Sequence, residues 1–380
     1  MRHILLLLIL STLLAGCSAV VPETSIESAL PLIPETTAPA TAATEPPDPM
    51  QMLLSSMTAE EKVGQLFLAR CPSEHATEDI SEYHLGGYIL FGQDFDNETP
   101  SSFRRKIADY QNASPIPLLI AVDEEGGTVC RVSSRRAFRD SRFPSPREAY
   151  AAGGMEQVLA VETEKAALLR DLGINVNMGP VCDITTGFGA FMYARSLGES
   201  PEETGRFIGS TVQIYENRRL GSVLKHFPGY GNNVDSHTGI ATDTRTLAEL
   251  EEADLIPFVS GIASGADAIL VSHTIVTSLD VEFPATLSPA VHDYLRNTMN
   301  FDGVIVTDDL VMQAITDIYG AGEAAVLAVL AGNDLLCSTE YRVQYPAVLE
   351  AVQSGRISMD QLNASVMRIL EWKRELGLIF

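Results

Sequence analysis

Eight short apolar runs, separated by longer stretches of helical periodicity, constrain this chain more than any other feature. The runs are 65–69, 88–91, 118–123, 174–178, 222–226, 268–273, 303–308 and 334–337. They are aliphatic at consecutive positions, as expected of strands buried on both faces. Helical patterns fill the gaps, notably 155–172, 247–260 and 359–376, the last with Ser358 as N-cap and Gly377 as terminator. Strict alternation of this kind argues for parallel βα units. A doubly wound open sheet is the main alternative. Eight strands, and no early Gly-rich phosphate-binding turn, favour an α/β fold of the (β/α)8 TIM-barrel type in a single domain.

Polar residues collect where these strands end. Asp123 closes the third, His226 the fifth, His273 the sixth and Asp308 the seventh. The active sites of such barrels lie at the carboxyl ends of the strands. Any one of these residues alone is an ordinary solvated strand end; four on dry strands mark a site.

Asp308 leaves the strand Val304-Ile305-Val306, and a carboxylate there can attack an anomeric carbon and hold a glycosyl ester. Its neighbour Asp309 competes for the role. Side chains alternate along a strand, so only one of the two enters the mouth, and spacing leaves open which. The loop "KHFPGYGNNVDSH", residues 225–237, supplies the other half of the chemistry. Asp235 and His237 are two apart, so in extended backbone the carboxylate can orient the imidazole and support its protonated form. His237 can then protonate a leaving oxygen and later activate water. Such a pair is more often a loop Asp capping a turn beside an exposed His. The glycines and asparagines around it suit a loop that moves on binding. Lys225 and His226, at the strand end, would donate hydrogen bonds to sugar hydroxyls.

The N-terminus carries a separate message. Arg2 and His3 precede an apolar run ending at Leu14-Ala15-Gly16-Cys17, a secretory signal with a lipobox-like end. Residues 1–16 are therefore expected to be cleaved and Cys17 lipidated. Residues 17–49, rich in Pro, Thr, Ala and Ser, form a disordered tether, and 50–380 form the barrel. The expected location is extracytoplasmic, held to the membrane through that lipid alone. A net charge of -24 speaks against nucleic-acid binding. The remaining cysteines, 71, 130, 182 and 337, have no zinc-ligand spacing and read as buried free thiols. No metal or organic cofactor and no obligate protein partner is indicated.

Three stretches together, "VDEEGGTVCR", "KHFPGYGNNVDSH" and "FDGVIVTDDLVM", resemble glycoside hydrolase family 3, specifically its bacterial β-N-acetylglucosaminidases. "GINVNMGPVCDI" and "ARSLG" fit the same pattern, and the similarity runs from about Met50 to the C-terminus. The resemblance implies a (β/α)8 barrel and a retaining, two-step mechanism. It makes Asp308 the nucleophile, His237 the acid/base and Asp235 its partner. It assigns substrate binding to Asp123, Arg131, Arg195, Lys225 and His226, with a saccharide bearing terminal N-acetylglucosamine, such as a peptidoglycan fragment, as substrate. The sequence departs from the family at Tyr230, where His is frequent, and at Thr128, where Arg is frequent. Neither carries the proton transfer; both bear on the loop or the fit of the leaving group. Competing readings are a glucosidase or xylosidase, a phosphorylase of the same family, and a saccharide-binding lipoprotein without catalysis.

Overall fold

The computed structural model describes residues 48–380 apart from Thr186, 232–240, Gln313, Ala314, Thr316 and Asp317. The expected signal, Cys17, most of the tether, Asp235 and His237 lie outside the described residues. The first helix among the described residues is Pro49–Ser56, which Asp48 caps by accepting a hydrogen bond from the Met50 amide.

All eight expected strands form. They are β1 (Phe67–Arg70), β2 (Gly87–Leu90), β3 (Leu119–Val122), β4 (Val176–Asn177), β5 (Gly221–Phe227), β6 (Ala268–Val271), β7 (Val304–Thr307) and β8 (Leu336–Ser338). They pair in parallel in the order β7-β6-β5-β4-β3-β2-β1-β8. A parallel bridge between Val306 and Leu335, with the Thr307 amide donating to the Leu335 carbonyl at 3.0 Å, joins β7 to β8 and closes the barrel. Closure leaves no free sheet edge.

Every second strand residue points into the barrel. Leu68, Ile89, Ala121, Val223, Leu270 and Val306 belong to one buried aliphatic cluster that fills the interior. At the amino-terminal end, the helix Met359–Glu375 adds Ile369 and Trp372 to that cluster, so this end is packed shut. Ser358 caps this helix as expected, its hydroxyl accepting from the Gln361 amide.

Two helical stretches hold more than their sequence reading. The helix expected at 155–172 forms, but an unexpected short one precedes it from Pro146, opened by the reciprocal capping box of Ser145 and Glu148. Gly153 and Gly154 leave helical geometry and kink the chain between the two. The helix expected at 247–260 is two, Leu247–Glu252 and Leu255–Ala263. Pro257 needs a first helical turn, where no amide donor is required, and a break at Ala253 provides it. Cys71, Cys130, Cys182 and Cys337 are buried free thiols.

The closed end also holds a buried amine. Lys373 is fully buried and its Nζ donates to Gln65 Oε1 at 2.7 Å. No carboxylate pairs with it among the described residues, and burial pulls its pKa down to about 7. Between pH 7 and the ordinary lysine value the unfolded chain holds this proton and the folded chain does not. Stability should therefore rise with pH across that window, by roughly 1.4 kcal/mol per unit from this group, with the full penalty present below pH 7. Lys373→Met should accordingly raise the melting temperature at pH 6 and much less at pH 10. An equal shift at both pH values would contradict the assignment.

Candidate active site

The inward-facing set of the barrel continues past the strand ends. Leu119 and Ala121 lead to Asp123, Val223 leads to Lys225, and Val304 and Val306 lead to Asp308, each two residues on. These three side chains line one cleft of about 550 Å³ at the carboxyl-terminal mouth, with Arg131, Arg195 and His226. The volume lies in the range of small-molecule sites, roughly 300–1,000 Å³.

The same alternation separates the paired aspartates. Asp309 also lines the cleft, but its carboxylate is engaged by the Thr339 hydroxyl at 2.5 Å and the Thr339 and Val311 amides, each at 3.2 Å. Burial pushes its carboxyl above the usual range, an effect the Thr339 hydrogen bond opposes. Asp308 Oδ1 accepts from the Asp309 amide at 2.8 Å. His273, the remaining strand-end residue, is fully buried and does not line the cleft. Its Nε2 lies 3.0 Å from the Asp309 carbonyl and its Nδ1 2.8 Å from Thr286 Oγ1, so it fixes the tip of β7 from behind.

A charged network forms the cleft floor. Lys225 Nζ lies 2.6 Å from Asp123 Oδ1 and 2.7 Å from Glu125 Oε1. Arg195 grips Glu125 with two hydrogen bonds, Nε to Oε2 at 2.8 Å and Nη2 to Oε1 at 2.7 Å. Burial alone would push the Glu125 carboxyl up; the Arg195 and Lys225 charges outweigh it and hold Glu125 well below the carboxylate range. For Lys225, burial opposes the charge and the two carboxylates overcome it, leaving its pKa raised. Two anions and two cations thus fix one another, and one Lys225 hydrogen has no partner among the described residues.

His226 is tied on both sides of its ring. Arg195 Nη2 lies 3.2 Å from Nε2, and a guanidinium can only donate, so Nε2 accepts. The ring hydrogen then sits on Nδ1 and goes to Asp183 Oδ2 at 2.7 Å. Asp183 also accepts from the amides of His226 and Tyr230. The expected donation from His226 to a sugar hydroxyl therefore has no spare ring nitrogen; its imidazole positions Arg195 instead. Adjacent Lys225 and His226 both reach the cleft where the β5–β6 pairing shifts register between Leu224 and Phe227.

Arg131 follows a tight hairpin, Glu124–Gly126 paired with Val129–Cys130. Gly126 and Gly127 make its turn at φ values of 103° and 60°, packed against Pro144 and Ser145, where a Cβ would clash. Glu124, fully buried, accepts from the Arg131 and Val132 amides and from Ser133, which locks the segment bearing Arg131. Arg131 Nε is buried with no partner among the described residues, and its guanidinium lies 5.6 Å from the Phe91 ring centroid.

The residues flanking 232–240 are anchored at both ends. Tyr230 lines the cleft, and Gly231 abuts the Arg245 guanidinium. Arg245 binds Asp243 and Asp254 at 2.6 Å each, and Thr242–Asp243 pairs in parallel with Ile275–Val276 beyond β6.

The structure thus brings together Asp123, Arg131, Arg195, Lys225, His226 and Asp308. Sequence reasoning missed Glu125 and Asp183, although both stood in stretches already singled out. Among the described residues no cluster of three or more His, Cys, Asp or Glu could hold a metal ion.

A closed parallel barrel with acids and bases converging on its carboxyl-terminal mouth is a frame that many enzymes share, glycosidases among them. The model of the glycosyl hydrolase family 3 N-terminal domain matches residues 58–372, and the chain belongs to that family. The beta-hexosaminidase LpqI of Mycobacterium tuberculosis is 32% identical over 330 residues, covering 83% of each chain. A beta-hexosaminidase of Stenotrophomonas maltophilia is 33% identical over 296 residues, 75% of this chain and 84% of that one. Among solved structures, a family 3 β-N-acetylglucosaminidase from Paenibacillus sp. str. FPU-7 superposes with a TM-score of 0.79 at 35% identity. That match covers 85% of this chain, which spans 63% of the Paenibacillus chain. Mycobacterium tuberculosis LpqI superposes with a TM-score of 0.77 at 30% identity, over 85% of this chain and 96% of that one.

Proposed function

We propose that this protein is an exo-acting, retaining β-N-acetylglucosaminidase that removes terminal β-linked N-acetylglucosamine from cell-wall fragments or related saccharides. The observation that carries the reading is Asp308: an inward-facing carboxylate at the tip of β7, across the cleft mouth from the Asp123–Lys225–Glu125–Arg195 network.

In the proposed cycle, Asp123, Lys225 and Arg131 hold the hydroxyls of the terminal sugar. The Asp308 carboxylate attacks the anomeric carbon from below as the glycosidic bond breaks. His237, supported by Asp235, gives its proton to the departing oxygen. The same imidazole then takes a proton from water, which attacks the anomeric carbon and releases Asp308. Two displacements at one carbon return the β configuration.

Activity toward aryl β-N-acetylglucosaminide, β-glucoside and β-xyloside tests the specificity. Cleavage of the first should exceed the others by at least about 100-fold, since a site that hydrogen-bonds a substituent rejects analogues lacking it. Preferred cleavage of the glucoside, or binding without turnover, would remove this reading.

A further inference from the structure

A second cavity, about 560 Å³, opens beside the cleft. Thr128 and Ala194 line both spaces, so the two meet across a pair of small, exposed side chains. The second space ends against Tyr193. The Arg147 guanidinium packs 4.0 Å from the Tyr193 ring centroid and is itself held by the Tyr193 carbonyl at 2.9 Å and Ser196 Oγ at 3.1 Å. Tyr193 is thus a braced aromatic surface. Phe188 meets it edge-on at 5.3 Å and is 92% exposed, a large apolar ring left at the rim. Arg142 lines the same cavity and is exposed, with no ion pair among the described residues.

The glycone end of the cleft is closed by buried charge, so the rest of a saccharide must leave through an opening. The low border formed by the small side chains of Thr128 and Ala194 offers such an exit, and beyond it the second cavity holds an aromatic ring. Pyranose rings present an apolar C–H face that packs on such rings, while a guanidinium at the edge donates to hydroxyls. We propose that this groove is a leaving-group subsite, in which the second sugar ring beyond the scissile bond, the one a disaccharide lacks, stacks on Tyr193. The inference rests on the glycosidase reading and adds a preference for chains longer than a disaccharide.

The test compares kcat/KM for an aryl β-N-acetylglucosaminide and for the β-1,4-linked di-, tri- and tetrasaccharides of N-acetylglucosamine. The wild type should gain about tenfold from the disaccharide to the longer chains. Tyr193→Ala should abolish that gain and leave the aryl substrate within about twofold. Thr128→Arg, which fills the junction without touching the barrel core, should abolish it as well. A wild type that is active but indifferent to length overturns the subsite alone. So do variants that lower all four substrates by one common factor. A wild type inert on every N-acetylglucosaminide overturns the glycosidase specificity, and the subsite with it.

Discussion

Asp308→Ala should lower kcat on an aryl β-N-acetylglucosaminide by at least about 10⁴-fold, the scale on which removal of a covalent nucleophile is felt. The site should otherwise stand. Asp308 is half-exposed at the mouth, and the network of Asp123, Glu125, Lys225 and Arg195 does not depend on it. The melting temperature should therefore stay within a few degrees of the wild type. The vacated space below the anomeric carbon should admit a small anion. Azide should restore turnover and give the α-glycosyl azide, the product of a single displacement. Asp309→Ala offers the contrast: its carboxylate ties the end of β7 to Thr339 beyond β8, so the loss should be in stability first. If Asp309→Ala abolished turnover while Asp308→Ala retained it, the roles of the two would be exchanged.

Glu125→Ala should damage both fold and activity. Glu125 is buried beneath two cations that each contact it at 2.7 Å. Without it, Lys225 keeps only Asp123, and Arg195 loses both its hydrogen bonds to a carboxylate. Breaking a buried ion pair from one side costs about 3–5 kcal/mol. The two cations then no longer hold the positions that a sugar requires, and small misplacement costs roughly 100-fold in rate. Glu125→Gln keeps the shape, but its amide hydrogens face donors, so the loss of activity should persist with a smaller change in melting temperature. Thermal denaturation and kcat/KM on the aryl substrate measure the two effects. A Glu125→Ala protein that melts with the wild type and turns over within a few-fold of it would show that the network is incidental.

The barrel was legible because its strands are dry on both faces, which leaves runs of Val, Ile and Leu that a helix pattern does not imitate. The sequence could frame which of Asp308 and Asp309 continues the inward-facing set but not answer it; the register does, since Val304 and Val306 lie on the inner face. The start at Pro146 was written in Ser145 and Glu148 as a capping box, and Pro257 carried the signal for the split helix. Glu125 and Asp183 were harder to find. Their partners Arg195 and His226 lie 70 and 43 residues away in sequence, so their roles arise only when β3, β4 and β5 come side by side. His226 shows the same limit: a strand-end histidine reads as a donor to substrate until the fold places Arg195 against one nitrogen and Asp183 against the other.

Covalent capture addresses the core of the account most directly. The enzyme would be incubated with a fluorinated β-N-acetylglucosaminyl donor whose second displacement is slow, then digested, and the labelled peptide sequenced by mass spectrometry. The account predicts one glycosyl adduct, on Asp308, within the peptide that also contains Asp309. A label on Asp309 or any other residue, or trapping-free inversion to the α product, would contradict it.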